Sequence, residues 1–207
     1  MNTSENMFFR IIDIFAHFLL LNVLWVICCI PILTIFPATT ALFGVVRRWH
    51  TEGTDAGVVY LFFLLFKDNF KKSFIIGIMW LVAGFILYFD LSILMQVDFT
   101  GKLFVLILLI FSSVLYLFIS IYIFFVFVHY ELSVIQSLKN ALFLSIGYYL
   151  QTILIILIIV GVLTVTYFAP VFLMIVGSVL AFSIYNVFAR LSKNQENREI
   201  KSRSLRV

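Results

Sequence analysis

Five apolar runs, each close to the length a helix needs to cross a bilayer, fill most of this chain, and nearly every lysine and arginine lies outside them. The runs cover residues 11–30, 73–97, 103–128, 142–168 and 171–189, and about 20 mostly apolar residues are enough to span the hydrocarbon core. Composition removes the soluble alternative. Apolar residues make up 64% of the 207 positions and charged ones 12%, against about 45–50% and about 25% in a soluble domain. With a mean hydropathy of +1.17, a core of this size cannot hide its own apolar surface from water. The expected solvent is lipid, and the expected fold is an all-α polytopic membrane bundle.

The first run reads as a retained transmembrane helix. Residues 1–9 carry Glu5 and no lysine or arginine, so the cationic flank of a signal peptide is missing. No small-x-small cleavage site follows closely. The only cysteines, Cys28 and Cys29, are adjacent inside this run. Neighbouring cysteines bridge poorly and no nearby group activates them, so they read as small apolar residues and say nothing about redox compartment.

Residues 31–50 are apolar but short, and they carry Pro31 and Pro37. Pro37 suits the first position of a helix, where its missing N–H would have no acceptor in any case. A helix from there to His50 would be roughly 20 Å long, and an extended stretch at 32–36 would add about 16 Å. Together these predict a short, proline-broken second crossing. Counting it, 13 of the 14 lysines and arginines fall on the cytoplasmic side with both termini, and Lys102 alone lies outside. Without it the division is 12 against two, so charge alone prefers six crossings to five only mildly. Residues 1–189 form one transmembrane domain in this reading, and 190–207 form a basic cytoplasmic tail.

Two stretches read as interfacial helices. Thr54 or Asp55 would cap a helix over 56–72 whose basic end, Lys67, Lys71 and Lys72, sits at the headgroups while Phe62, Phe63, Phe66 and Phe70 enter the boundary. Residues 131–141 form a milder version. Each precedes a pair of spanning runs, which would fit a weak parallel repeat.

Motifs for metal hydrolysis, zinc binding, acyl transfer or phosphate cradling are absent from the sequence, so no metal or cofactor is expected. His17, His50 and His129 are scattered, and a packing or interfacial role fits each. Asp90 is the carboxylate deepest in a run, and an intramembrane acid is a functional candidate by default. It lies about 26 Å beyond Ser73 along a helix, however, so anchoring near the outer interface is the competing reading. Asn22 and Trp25 lie one turn apart in the first run, where an amide bonds another helix. Thr34, Thr39 and Thr40 flank the proline-broken segment. A helix start inside the bilayer would offer its free N–H groups and these hydroxyls to a polar ligand; the plainer reading is that the hydroxyls satisfy the backbone. Arg47, Arg48, Lys67, Lys71 and Lys72 are candidates for contact with cytoplasmic partners or acidic lipid. Nucleic acid is not an expected partner, since no separate domain could position bases.

The sequence Asn22-Val-Leu-Trp25, then Pro31, Thr34 and Pro37-Ala-Thr-Thr-Ala-Leu-Phe-Gly-Val-Val-Arg-Arg-Trp49, resembles the opening of the YesL-like bacterial membrane proteins. So do Phe66-Lys-Asp-Asn-Phe-Lys-Lys72 and Leu87-Tyr-Phe-Asp-Leu91; the second half is similar only in hydropathy and its basic ending. Genes of that family tend to lie beside carbohydrate ABC importers and two-component sensors. The resemblance therefore implies an accessory of sugar uptake in the cytoplasmic membrane, contacting importer permeases, and it carries no catalytic residues across. The alternative is a self-sufficient small-molecule transporter or substrate-capture subunit with its site near Pro37. An ABC permease is disfavoured, because the loop at 129–142 has Glu131-Leu-Ser and lacks the glycine of an ATPase-docking loop.

Overall fold

Lipid accepts no hydrogen bonds, so apolar runs of this length must satisfy their backbone internally. The computed structural model describes residues 3–53, 57–130 and 133–204. Among them lie seven α-helices: α1 (Thr3–Cys29), α2 (Ile35–Glu52), α3 (Val58–Gln96), α4 (Lys102–Tyr130), α5 (Val134–Gly147), α6 (Tyr149–Phe168) and α7 (Val176–Ser204). Short 3-10 turns occupy Ile32–Thr34 and Pro170–Met174. Helices α1, α3, α4 and α6 are long and apolar enough to cross a membrane, which makes this a membrane protein. The apolar part of α7, Val176–Arg190, is shorter, and α2 has 18 residues.

Pro31 ends the first helix. Its backbone is extended, at φ −75° and ψ 119°, and it biases Ile30 away from the helical region. The chain then winds through one 3-10 turn rather than running extended to residue 36 as the sequence predicts. The Thr34 hydroxyl lies 2.6 Å from the Cys28 carbonyl and 2.7 Å from that of Pro31, so its proton covers groups that the end of α1 leaves open. Helix α2 starts at Ile35, which makes Pro37 its third residue and not its first. Proline is tolerated there because first-turn N–H groups have no intrahelical acceptor.

Helix α2 folds back along α1, with Trp25 opposite Thr39 and Phe18 packed on Trp49 at 5.2 Å. Every residue from Thr40 to Val46 is buried. A helix buried through two successive turns is enclosed on all faces, here by α1, α3, α4 and α7. Small residues allow the close approach: a Cβ on Gly44 would fall 2.9 Å from Leu65 Cδ1.

The interfacial helix expected at 56–72 and the span expected from residue 73 are one uninterrupted helix of 39 residues. Its length, about 58 Å, is nearly twice the hydrocarbon thickness of about 30 Å. Thr54, Asp55 and Ala56 lie outside the described residues, and Gly57 takes the cap position. Continuity has a physical cause. Phe62, Phe66, Phe70 and Phe74 form an i, i+4 ladder with centroids 5.4–6.2 Å apart straight through the charged segment. Asn69 and Ser73 bond back to the carbonyls of Leu65 and Asn69, so neither opens the helix.

A Cβ on Gly77 would meet the Cβ of Phe36 at 2.8 Å, so the start of α2 is level with Gly77. Helix α3 then runs on to Gln96, about 28 Å further, paired with α4. The Trp80 ring stacks on Tyr116 at 4.6 Å and its Nε1 donates to Ser120 Oγ at 2.8 Å. Gly101, at φ +103°, and the Asp98–Lys102 pair at 2.7 Å close this hairpin.

The second expected interfacial helix also differs. Glu131 and Leu132 lie outside the described residues; α5 opens where the Ser133 N–H donates to Gln136 Oε1 at 3.4 Å. It packs along α4, with Ser137, Ala141 and Ser145 buried at four-residue spacing. The run at 142–168 is divided at Tyr148, whose carbonyl accepts the Tyr122 hydroxyl at 3.2 Å. The last run begins as a 3-10 turn, and α7 continues through the basic stretch at 190 to Ser204.

Candidate functional site

Two polar regions stand out, one within the apolar part of the bundle and one at the basic ends of its helices. The first is built around Asn22. Its Nδ2 donates to the Leu173 carbonyl at 3.0 Å, and its Oδ1 accepts the N–H of Gly177 at 2.9 Å and of Ser178 at 3.3 Å. Those N–H groups belong to the first turn of α7 and have no acceptor in their own helix. Asn22, 2% exposed, is therefore a helix cap supplied by a different helix. The Ser178 hydroxyl reaches back to the Phe18 carbonyl at 2.8 Å. A Cβ on Gly177 would lie 2.7 Å from both Asn22 Oδ1 and the Trp25 ring, so only glycine admits this approach.

Trp25 donates to Thr39 Oγ1 at 3.2 Å, and the Thr39 hydroxyl is 2.7 Å from the Ile35 carbonyl. Asn22, Trp25 and Thr39 thus share one α1–α2–α7 seam. Pro37 and Thr40 are buried, and the crevice that Thr40 lines with Phe36, Ser73 and Phe124 is too narrow to admit water. The helix that does begin inside the bundle and is met by polar groups is α7, not α2. Asp90 stands apart. It is exposed and borders a shallow cleft with Leu94, Val97 and Phe99 near the α3–α4 turn. In that turn the Lys102 ammonium, bonded to Asp98, holds the Asp98 carboxyl below the usual carboxylate range.

The second region is a cleft of about 370 Å³ between α2, α3 and α4. Arg47 and Arg48 come from α2, Asp68, Asn69 and Lys72 from α3, and Phe127 and Val128 from α4. Arg47 is half-buried and donates to the Val128 carbonyl. That carbonyl lies in the last turn of α4, where orphan acceptors and the negative end of the helix dipole favour a cation. Arg48 is exposed and paired with Glu52 at 2.7 Å. Lys72 is exposed at the rim, and Lys67 and Lys71 are exposed on the same helix outside the lining. Of five basic residues singled out in the sequence, three converge here and two do not. Chemically the cleft offers cations and an amide to an anion, beside apolar walls.

Sequence reasoning missed Gly177 and Ser178, for which the only signal was a small pair just after an apolar turn. It also missed Asp68 and Asn69 as cleft walls, although they sit inside the quoted basic segment.

Residues 18–91 match a family described as "Protein of unknown function, DUF624", a segment that holds Asn22, the whole of α2 and the α3 wall of the cleft. The chain is 32% identical over 190 residues to the uncharacterized protein YesL of Bacillus subtilis (strain 168), covering 89% of this chain and 88% of that one. It is 29% identical over 149 residues to the uncharacterized protein YteU of the same organism, covering 70% of this chain and 66% of that one. No solved structure matches. The segments that carried the resemblance in sequence are thus placed within a relationship that spans most of both chains, and the chain belongs to the YesL-like family of membrane proteins.

Proposed function

We propose that this protein is a non-catalytic accessory subunit of the bacterial cytoplasmic membrane, acting on a carbohydrate ABC importer through contact with its permeases. The observation that carries this reading is the division of labour among polar groups. Those within the bundle, Asn22, Trp25, Thr34 and Thr39, are engaged in helix-to-helix and backbone bonds, and the crevice at Thr40 has no room for a solute. Arg47, Arg48, Asp68 and Lys72 gather about one cleft of α2 and α3, where a partner or a headgroup can reach them.

Lys67, Asp68, Lys71 and Lys72 are all exposed, and such a group is too costly at the bilayer centre. In our reading this belt lies at the cytoplasmic headgroups, and α3 and α4 cross in full above it. Helix α1 is long and apolar enough to cross, and with α2, the short second crossing expected from the sequence, it forms an antiparallel hairpin. Its turn is level with Gly77, well short of the α3–α4 turn. Both termini remain cytoplasmic.

The test is purification of tagged protein from its native host in mild detergent. Co-purified permeases, and impaired uptake of one sugar class on deletion, are the expected results. Solute binding or transport by the protein alone in liposomes, abolished by changing Thr39 and Thr40, would establish the transporter reading instead.

A further inference from the structure

We propose that the cleft between α2, α3 and α4 is a specific site for the phosphate of an anionic membrane lipid, whose acyl chains lie along α3. This does not depend on which permease, if any, the protein contacts. Three cations face Asp68 in the lining, and Glu52 pairs with Arg48 just outside it, so the site keeps a net positive charge. Its volume of about 370 Å³ has room for roughly a dozen waters at about 30 Å³ each, ample for a phosphodiester headgroup. Arg47 is fixed by the Val128 carbonyl, which makes it part of the wall and neutralises the α4 terminus that would otherwise repel an anion. Arg48 and Lys72, both exposed, flank the opening; Arg48 has guanidinium N–H groups beyond the one bonded to Glu52, and the Lys72 ammonium is the adjustable donor.

The apolar surroundings select a lipid over a soluble phosphate. Leu65, Gly44 and Phe127 line the same cleft. Beyond Lys72, the positions that continue its stripe at helical spacing are Ile75, Met79, Val82 and Ile86, and all four are exposed. This stripe leads from the cationic rim towards the α3–α4 turn, the direction in which acyl chains point if the belt lies at the headgroups. A soluble anion makes no use of it.

The full chain in phosphatidylcholine nanodiscs doped with phosphatidylglycerol provides the test, with retained lipid read by native mass spectrometry and unfolding followed in parallel. Phosphatidylglycerol should be retained preferentially and should raise the melting temperature. Lys72→Gln and Arg48→Gln should each weaken retention about five-fold, whereas Lys67→Gln and Lys71→Gln, on the same helix outside the cleft, should leave it unchanged. Equal losses from all four variants would show diffuse surface attraction and overturn the proposal. So would stabilisation by inorganic phosphate in pure phosphatidylcholine discs, or by an acidic peptide with no lipid preference. Each variant is first checked for native helicity and monodispersity; Met79→Gln, which puts an uncharged polar group in the stripe and leaves the cations intact, must also reduce retention.

Discussion

Helix α2 and the outer half of the α3–α4 hairpin invert the rule that water imposes. Helix α2 carries Thr39, Thr40, Arg47, Arg48, His50, Thr51 and Glu52 within 18 residues, yet it is the helix enclosed by its neighbours. The outer hairpin is almost wholly apolar, yet Phe85 and Phe104 are 66% and 73% exposed. In lipid an apolar side chain gains nothing by leaving the solvent, so association rests on close packing and interhelix hydrogen bonds. The difference teaches that in this fold a helix rich in polar side chains lies at the centre, admitted there by close packing at small residues.

Substitutions can break that comparison in graded steps. The largest expected effect is Gly177→Val. The added side chain would displace Asn22 or Trp25 and open the cap, costing about 3 kcal/mol through overpacking and lost hydrogen bonds together. Gly161→Val, where nothing lies within 4 Å of the new Cβ, should be near neutral in the same thermal unfolding assay in nanodiscs. Asn22→Leu keeps the volume but leaves the buried N–H groups of Gly177 and Ser178 unpaired, and about 2 kcal/mol should be lost. Tyr122→Phe removes a hydroxyl 2.7 Å from Thr152 Oγ1 and should cost about 1 kcal/mol. On the outer hairpin, Phe104→Leu should stay within about 0.5 kcal/mol. If Phe104→Leu proved as damaging as Asn22→Leu, the contrast between hub and hairpin would be lost.

The smallest effect expected is pH-dependent. The Asp98 carboxyl is held below its ordinary range by Lys102, so its ionised form is favoured in the folded state. Its contribution is complete above the ordinary carboxylate range and declines as pH falls through the lowered value. Asp98→Asn should remove this slight stabilisation at neutral pH and change nothing at acid pH, where it is already lost, so that its melting curves no longer show the acid-side decline.

The helices were legible wherever apolarity was continuous, and their joints only in part. Pro31 marked the end of α1 because a proline restricts its predecessor whatever surrounds it. Pro37 misled, because a first turn accepts proline at its third position as well as its first. The charged segment at 67–72 suggested a boundary, but the phenylalanine ladder from Phe62 to Phe74 carries the helix through it. At the site, Asn22 and Trp25 were identifiable as helix contacts from residue type alone. Their partner was not, since Gly177 lies 155 positions away and a glycine in an apolar run has no distinctive pattern. The convergence of Arg47, Arg48 and Lys72 needed the α2–α3 pairing, which no local periodicity encodes.

Because α3 is unbroken from Val58 to Gln96, it behaves as a shaft about 58 Å long. Lys72 sits on it partway along, with Asp90 towards its far end. A tilt of about 5° at the level of Lys72 displaces the Gln96 end, about 36 Å away, by roughly 3 Å, and any rotation about the axis is delivered undiminished. A displacement of the helix at its basic belt is therefore carried to its Gln96 end without a hinge or a moving loop.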